Sequence, residues 1–437
     1  MNTRRSHASS RNRHGGPRLL SLALATFLTL SVAGLGVSWG TDSTPNLIAH
    51  AVAAPPAPAG FTWVVNMTGD GAGGGPPSVG CDVDPLTPGP QCTLRRALNL
   101  TNNVAGEDTI TFNILMTQPN CDAATGRCTI NLTEALPDIT DGVSINGPGA
   151  DKLTVRGTGD SGAGVGSGIF VVQTTGTVTL SGMTVSKGLN NTSDGGGAIR
   201  NNGGTVNVTN STFTDNIASS SGGGIFNFGG GTVNITKSTL MNNRGGFGGH
   251  IYNGGGTLNV TDSTLSGASA SLGGGIFNAG TANITNSTLS NNIASSTDVR
   301  GGGGGIYNFA VAGIIANVTN STISGNIAFS NGGGTYNPGN TPTMPGGTVN
   351  VINSTITNNT ASAFGGINTG DPGLAAGPVN VRSTIIALNA TSNEAQDVGG
   401  VFTSSGFNLV GKTGGSTGFT QPTDQTGTTA LAARPKA

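Results

Sequence analysis

Acid–base chemistry on a polysaccharide needs carboxylates on either side of the scissile bond, or acidic calcium ligands beside a basic side chain. The central chain offers Asp194, Asp215, Asp262, Asp298 and Asp371, with Arg200, Lys237, Arg244, Arg300 and Arg382 as the basic candidates. These residues fall in different phases of the sequence repeat described below, and Asp215 and Asp262 do not share a column. A polysaccharide lyase or glycoside hydrolase is therefore the alternative reading, and no catalytic residue is assigned. Nucleophilic catalysis has less support, because His250 is the only histidine after residue 50. It stands where the repeat has a glycine, and is expected to be an exposed corner residue. Asp82 and Asp84 read as solvated loop charges, and the glycine runs lack the following Lys-Ser/Thr and helix of a phosphate cradle. The N-x-S/T sequons follow from the repeat itself and are no separate sign of glycosylation.

Two residue columns stand out. Phe226, Tyr252, Phe277 and Tyr307 occupy one repeat position between an Ile and an Asn, and Tyr336 holds the same position in the next coil. Strand alternation points them outward, as a strip that could stack on sugar rings or dock a partner. The favoured reading is that the rings stack on one another and are partly covered by neighbouring loops. The following Asn201, Asn227, Asn253, Asn278, Asn308 and Asn337 read as a structural ladder, since stacked amides in register bond along the stacking axis.

The elements that must position these columns are short strands. Openings such as GGGIFN, GGHIYN and GGGGIYN are followed by TVNVTNSTF, TVNITKSTL or TLNVTDSTL, and often by DNIA, NNIA or GNIA. A recurrence of roughly 25 to 32 residues, with period-two alternation and no helical stretch, means stacked β coils. The expected fold is all-β, a right-handed single-stranded parallel β-helix, its hand following from the crossover rule. Val206, Val233, Leu258, Ala282, Ala316, Val349 and Val379 should stack inward, and so should Phe213, Leu240, Leu265, Leu289, Ile323, Ile356 and Ile385. Leu94, Ala97, Leu98 and Leu100 form a helical stripe, expected to be a short N-terminal capping helix.

Gly contributes 76 of 437 residues and Pro 20, a bias that would signal low complexity if the glycines were aperiodic. Charged residues make up 9% and the formal net charge is −1, so no basic face exists for nucleic acid. Arg4, Arg5, Arg11, Arg13 and Arg18 precede an apolar run from Leu19 to Val37 and small residues near Ala51. That order describes a secretory signal, with an N-terminal membrane anchor as the competing reading. No later segment is apolar enough to span a bilayer. Cys81, Cys92, Cys121 and Cys128 are an even set, which in an exported chain favours disulfides over metal. Of the three possible pairings, sequence proximity favours Cys81–Cys92 with Cys121–Cys128. No metal or cofactor is expected.

The run CTLRRALNLTNN (Cys92 to Asn103) followed by GEDTITF resembles the CSLREA domain that opens many exported β-helix proteins, with Thr93 and Arg96 where that pattern has Ser and Glu. The GG-x-I-x-N and NST-apolar repeats resemble polymorphic outer-membrane-protein repeats. Residues 383 to 428 resemble the tail of the choice-of-anchor Q family. The resemblance implies an exported right-handed β-helix without an established common activity. It divides the chain into a signal and lead-in (1–54), a linker (55–60), a cap with the first coils (61–128), irregular coils (129–194), regular repeats (195–393) and a C-terminal segment (394–437). That family continues past TDQTGT into further coils, so the last coil here is expected to present an open edge and to fray from about residue 380. The functional expectation is a secreted or cell-surface scaffold for adhesion or glycan contact without catalysis. A polysaccharide-degrading enzyme, or a truncated remnant without activity, are the alternatives. Oligomeric state is not legible.

Overall fold

The computed structural model describes residues 60–72, 80–83, 89–159, 166, 168–339, 346–370, 375–391 and 396–427. The signal-like segment, Asp84, Asp371 and the chain beyond 427 lie outside the described residues.

Each repeat folds into one coil for local reasons. In Thr205–Thr209 (TVNVT) the side chains alternate between half-exposed and buried, with Val206 and Val208 inside. Asn210 then adopts a positive φ of 49°, which a short polar side chain tolerates. The turn carries the chain into Thr212–Thr214, where Phe213 is buried. Between the two strands sits Ser211. Its amide donates to Ser238 Oγ at 3.2 Å, and its own hydroxyl donates back to the Thr209 carbonyl at 2.9 Å. The same exchange recurs at Ser238, Ser263 and Ser287, so the NST of the sequence is a hydrogen-bonded corner.

The coils stack as a parallel β-helix. One sheet has 12 strands, running from Thr62–Val65 to Phe402–Ser404, and a second has 13, from Cys121–Asp122 to Gln425–Gly427. A third has 9 strands, from Phe170–Val172 to Val398–Gly399, and a fourth position is filled by sheets of 2 and 5 strands. Pairing is parallel throughout the repeats and keeps like residues in register, as in Val206↔Val233, Asn207↔Asn234 and Val208↔Ile235. Insertions of different length leave the columns undisturbed: outward Asn partners in adjacent coils are 24 residues apart at one step and 34 at the next. The inner columns beginning at Val206, Val208 and Phe213 belong to one continuous core, fully shielded from solvent.

One inward assignment needs correction. Ile385 pairs with Thr355 and is 43% exposed, whereas Ile386 pairs with Ile356 and is buried. The STI of residues 383–385 matches the STI of earlier repeats by letter but sits one position early: Ser383 takes the positive-φ place of Asn353 and Thr384 the buried place of Ser354. A one-residue slip in a strand reverses the faces.

The stripe from Leu94 becomes the helix Leu94–Thr101, capped by Thr93, whose side chain accepts from the Arg96 amide. Leu94, Ala97 and Leu98 join the common core. The helix and its surroundings are also tied by Arg95, which pairs with Asp70 at 2.7 Å and donates to the carbonyls of Glu134 and Ala135. Asp70 in turn accepts from the Thr133 amide and hydroxyl at 2.7 and 2.9 Å. Disulfides link Cys81 to Cys92 and Cys121 to Cys128. Such bonds belong to an oxidising compartment.

Candidate functional site

The column from Asn201 to Asn337 lies inside the cylinder, and all its members are fully buried. Each amide nitrogen donates to the amide oxygen one coil on, at 2.8 to 2.9 Å. Asn201, Asn227, Asn253 and Asn278 also donate to a glycine carbonyl of their own coil, such as Gly231 for Asn227 and Gly256 for Asn253, and Asn308 donates to the Thr348 carbonyl of the next coil. A side chain at Gly256 would collide with the amide of Asn227, which explains why glycine recurs there. Asn337 ends the column on the Gly347 carbonyl at 2.8 Å. With both amide atoms engaged, these residues have nothing left to offer a ligand.

Two further amide columns run beside it. The half-buried Asn207, Asn234, Asn259, Asn283, Asn317, Asn350 and Asn380, on the outer face of the 12-stranded sheet, bond to one another at 2.7 to 2.8 Å. Within the core, the Asn of the DNIA-type motifs forms a second interior series. Asn216 donates to Asn243 at 2.9 Å, and Asn292, Asn326 and Asn359 each donate to the next member, ending at Asn389. Asn389 donates to Asp397 through both its backbone and its side chain, at 2.7 and 2.8 Å. Asp397 closes the column because an ionised carboxylate only accepts. Burial raises its pKa, with hydrogen bonds from Asn389 and Lys412 opposing the shift.

This second interior series has a gap where Ala268 replaces Asn, and His250 fills it. Contrary to the expectation of an exposed corner, His250 is wholly buried. Its position precedes the inner Ile251, and in neighbouring coils it belongs to Ala198, Gly224 and Gly275, where the small residue makes room for the interior amides. Asn243 Nδ2 donates to His250 Nδ1 at 3.0 Å, in place of the missing amide oxygen. Burial lowers the imidazole pKa to about 3, with the Asn292 side chain and Ser266 backbone opposing the shift. The ring is therefore neutral at pH 7 and structural.

The aromatic column is in register, as the strand pairs Phe226↔Tyr252, Tyr252↔Phe277, Phe277↔Tyr307 and Tyr307↔Tyr336 require. The first four rings stack with centroids 5.0 to 5.2 Å apart and planes within 11°. Tyr336 meets Tyr307 edge-on at 77°. Cover is uneven along the column: Phe226 and Tyr252 are half-buried, whereas Phe277, Tyr307 and Tyr336 are buried. Phe247 and Phe309 tilt against Phe277 at 5.6 Å, and Leu272 and Ala279 pack on the same cluster. Ring faces turned along the axis are occupied by the rings above and below, so mainly edges point outward. The accessible apolar surface belongs to flanking rings the repeat pattern did not single out: Phe228, 53% exposed and stacked on Phe226, with Phe247 and Phe309.

Charged side chains remain dispersed. Arg200 pairs with Asp194 at 2.6 Å, and Asp215 lies 3.9 Å from Lys187. Asp215 and Asp262 occupy different turn columns, Asp262 beside Asn286. Among the described residues, no group of three or more His, Cys, Asp or Glu side chains is placed to hold a metal ion. No described helix is long and apolar enough to cross a membrane. In the N-terminal coils a cavity of about 690 Å³ lies beside Asn66, Pro90 and Leu115. No known protein family, curated protein or solved structure matches this chain.

Proposed function

We propose that the chain is an exported, non-catalytic surface scaffold that contacts glycans through the phenylalanines flanking its aromatic column. The basic, apolar and small segments of residues 4–53 support export, as does the resemblance of Cys92–Asn103 to the CSLREA pattern. The observation that carries the reading is the division of labour among the rings. Column rings spend their faces on one another, while Phe228, Phe247 and Phe309 stay 39 to 53% exposed beside them. Exposed aromatic faces on a rigid sheet can stack on the apolar faces of sugars without ordering a loop.

The test is binding of the protein to a panel of neutral and acidic polysaccharides and to intact cells, with and without calcium. Phe228→Ser with Phe309→Ser should abolish binding while lowering the melting temperature only modestly, since both rings lie outside the common core and each gives up one ring contact, to Phe226 and Phe277. Binding that survives this exchange would remove the proposed contact. Release of cleaved polysaccharide, lost on changing one particular Asp, would make the chain an enzyme instead.

A further inference from the structure

The 13-stranded sheet carries an outward column that the repeat motifs conceal. From Thr129 to Thr355, nine successive strands place a threonine at the same register position. None of the nine is buried. Two residues further along each strand, from Thr214 to Thr357, the outward position holds Ser or Thr in every strand but one, where it is Met241. The result over these coils is a grid of hydroxyl groups, interrupted once at Met241. It repeats at about 4.8 Å between coils and about 6.6 Å along the strand.

Threonines also recur in register on the 12-stranded sheet, from Thr205 to Thr281 and from Thr209 to Thr319, but there a column of bonded Asn amides runs between them, whereas the grid has no amide column. The interior and outer Asn columns use their amides on one another, and the Ser211 column uses its hydroxyls on backbone amides and carbonyls. From Thr212 to Thr355 the threonine hydroxyls have no hydrogen-bond partner among the described residues. They must bond to water, and at positions fixed by the sheet. Threonine is stiff about χ1, so each hydroxyl and methyl is held in a restricted orientation before anything binds. Directly behind, the Ser211–Ser238–Ser263 hydrogen bonds pin the corner from which each strand starts.

We propose that this threonine face binds ice, taking crystalline water as its ligand. A lattice of water can accept and donate at every hydroxyl while the methyl groups fill the space between. The two repeats of the grid lie close to those of water oxygens on the prism face of hexagonal ice. From Thr212 to Thr357 the two columns contain no charged side chain, which suits a neutral lattice and leaves an ionic partner without a counter-charge. Nor do they contain an aromatic ring on which a sugar could stack. The face is distinct from the phenylalanine-flanked column on the 9-stranded sheet, so either reading can fail without the other.

The experiment measures the freezing hysteresis of the purified protein and its inhibition of ice recrystallisation. The unaltered protein should show both. Thr264→Tyr with Thr288→Tyr, which raises two bulky rings at the centre of the grid, should reduce both to the buffer level. Thr264→Ser with Thr288→Ser keeps the hydroxyls, removes two methyls and should leave a partial effect. Unchanged circular dichroism and melting temperature establish that each variant is folded, and Phe228→Ser with Phe309→Ser should retain full ice activity. Absence of both activities in the unaltered protein would overturn the proposal, as would their persistence in the tyrosine variant. If that variant lost binding to an insoluble neutral polysaccharide while ice growth was never affected, the face would be a glycan surface and the proposal would again be overturned.

Discussion

Two interior columns of amides run through the same coils, and they differ in one position. The column from Asn201 to Asn337 is unbroken, and each member repeats the geometry of its neighbour. The column from Asn216 to Asn389 loses its amide at Ala268, yet the donor on Asn243 is not abandoned. An imidazole from another part of the same coil, seven residues further along, supplies the acceptor at 3.0 Å. In a stacked fold each column is thus chemically continuous with its neighbours. A lost hydrogen-bonding group must be replaced from an adjoining position, because a buried donor without a partner costs about 1–3 kcal/mol.

The largest expected way to break this equivalence is acid. An imidazole that stays neutral when folded contributes stability that is complete above its unfolded pKa of 6.5 and is lost as pH falls toward about 3. The unfolded chain takes up a proton that the folded chain refuses. Well below pH 6.5 the loss should approach about 1.4 kcal/mol per pH unit. His250→Gln, which keeps a polar group and cannot titrate, should remove that increment in denaturant unfolding measured from pH 7 to pH 4. An unaltered slope would show that His250 is not shielded. Asp397, whose pKa burial raises, acts in the opposite sense: its folded carboxyl holds a proton more firmly, so its contribution grows as pH falls.

The next largest effect tests the unbroken column. Asn253→Ala removes the donor to Asn278 and Gly256 and the acceptor for Asn227, and should cost about 3 kcal/mol. Loss of the corresponding hydrogen-exchange protection should centre on the coils carrying Asn227 and Asn278. The smallest of the three sharpens the comparison. His250→Gly alone should cost about 2 kcal/mol through the orphaned Asn243 donor and the cavity left behind. Adding Ala268→Asn should recover most of it by rebuilding the regular column, while Ala268→Asn alone should overpack against the imidazole. A double-mutant cycle with no coupling would separate the two positions.

What was legible in the sequence was whatever repeated. Val206, Val233 and Leu258, or Asn227, Asn253 and Asn278, are assigned to columns by spacing alone, because parallel coils superimpose like positions. The short turn motifs were visible too, but not the role of their Asn as a second interior series. His250 was misplaced because a glycine position reads as a corner, whereas here glycine marks room for an amide inside the coil. Ile385 was misplaced because the letters STI recur one residue out of phase. The threonine grid passed unnoticed among residues that suit any strand, since β propensity alone accounts for a threonine at one position but not for nine in register.

Period and alternation by themselves determined the stacked β coils, the apolar columns within them and the Asn ladder, since each depends only on which residues recur. Tertiary structure alone decided what covers the aromatic column, which acceptor replaces the missing amide and which hydroxyls remain without partners. Those outcomes depend on loops and neighbours that do not repeat, such as the turns carrying Phe247 and Phe309. A periodic sequence specifies the contacts between like positions; contacts between unlike positions are fixed only when the coils close and bring them together.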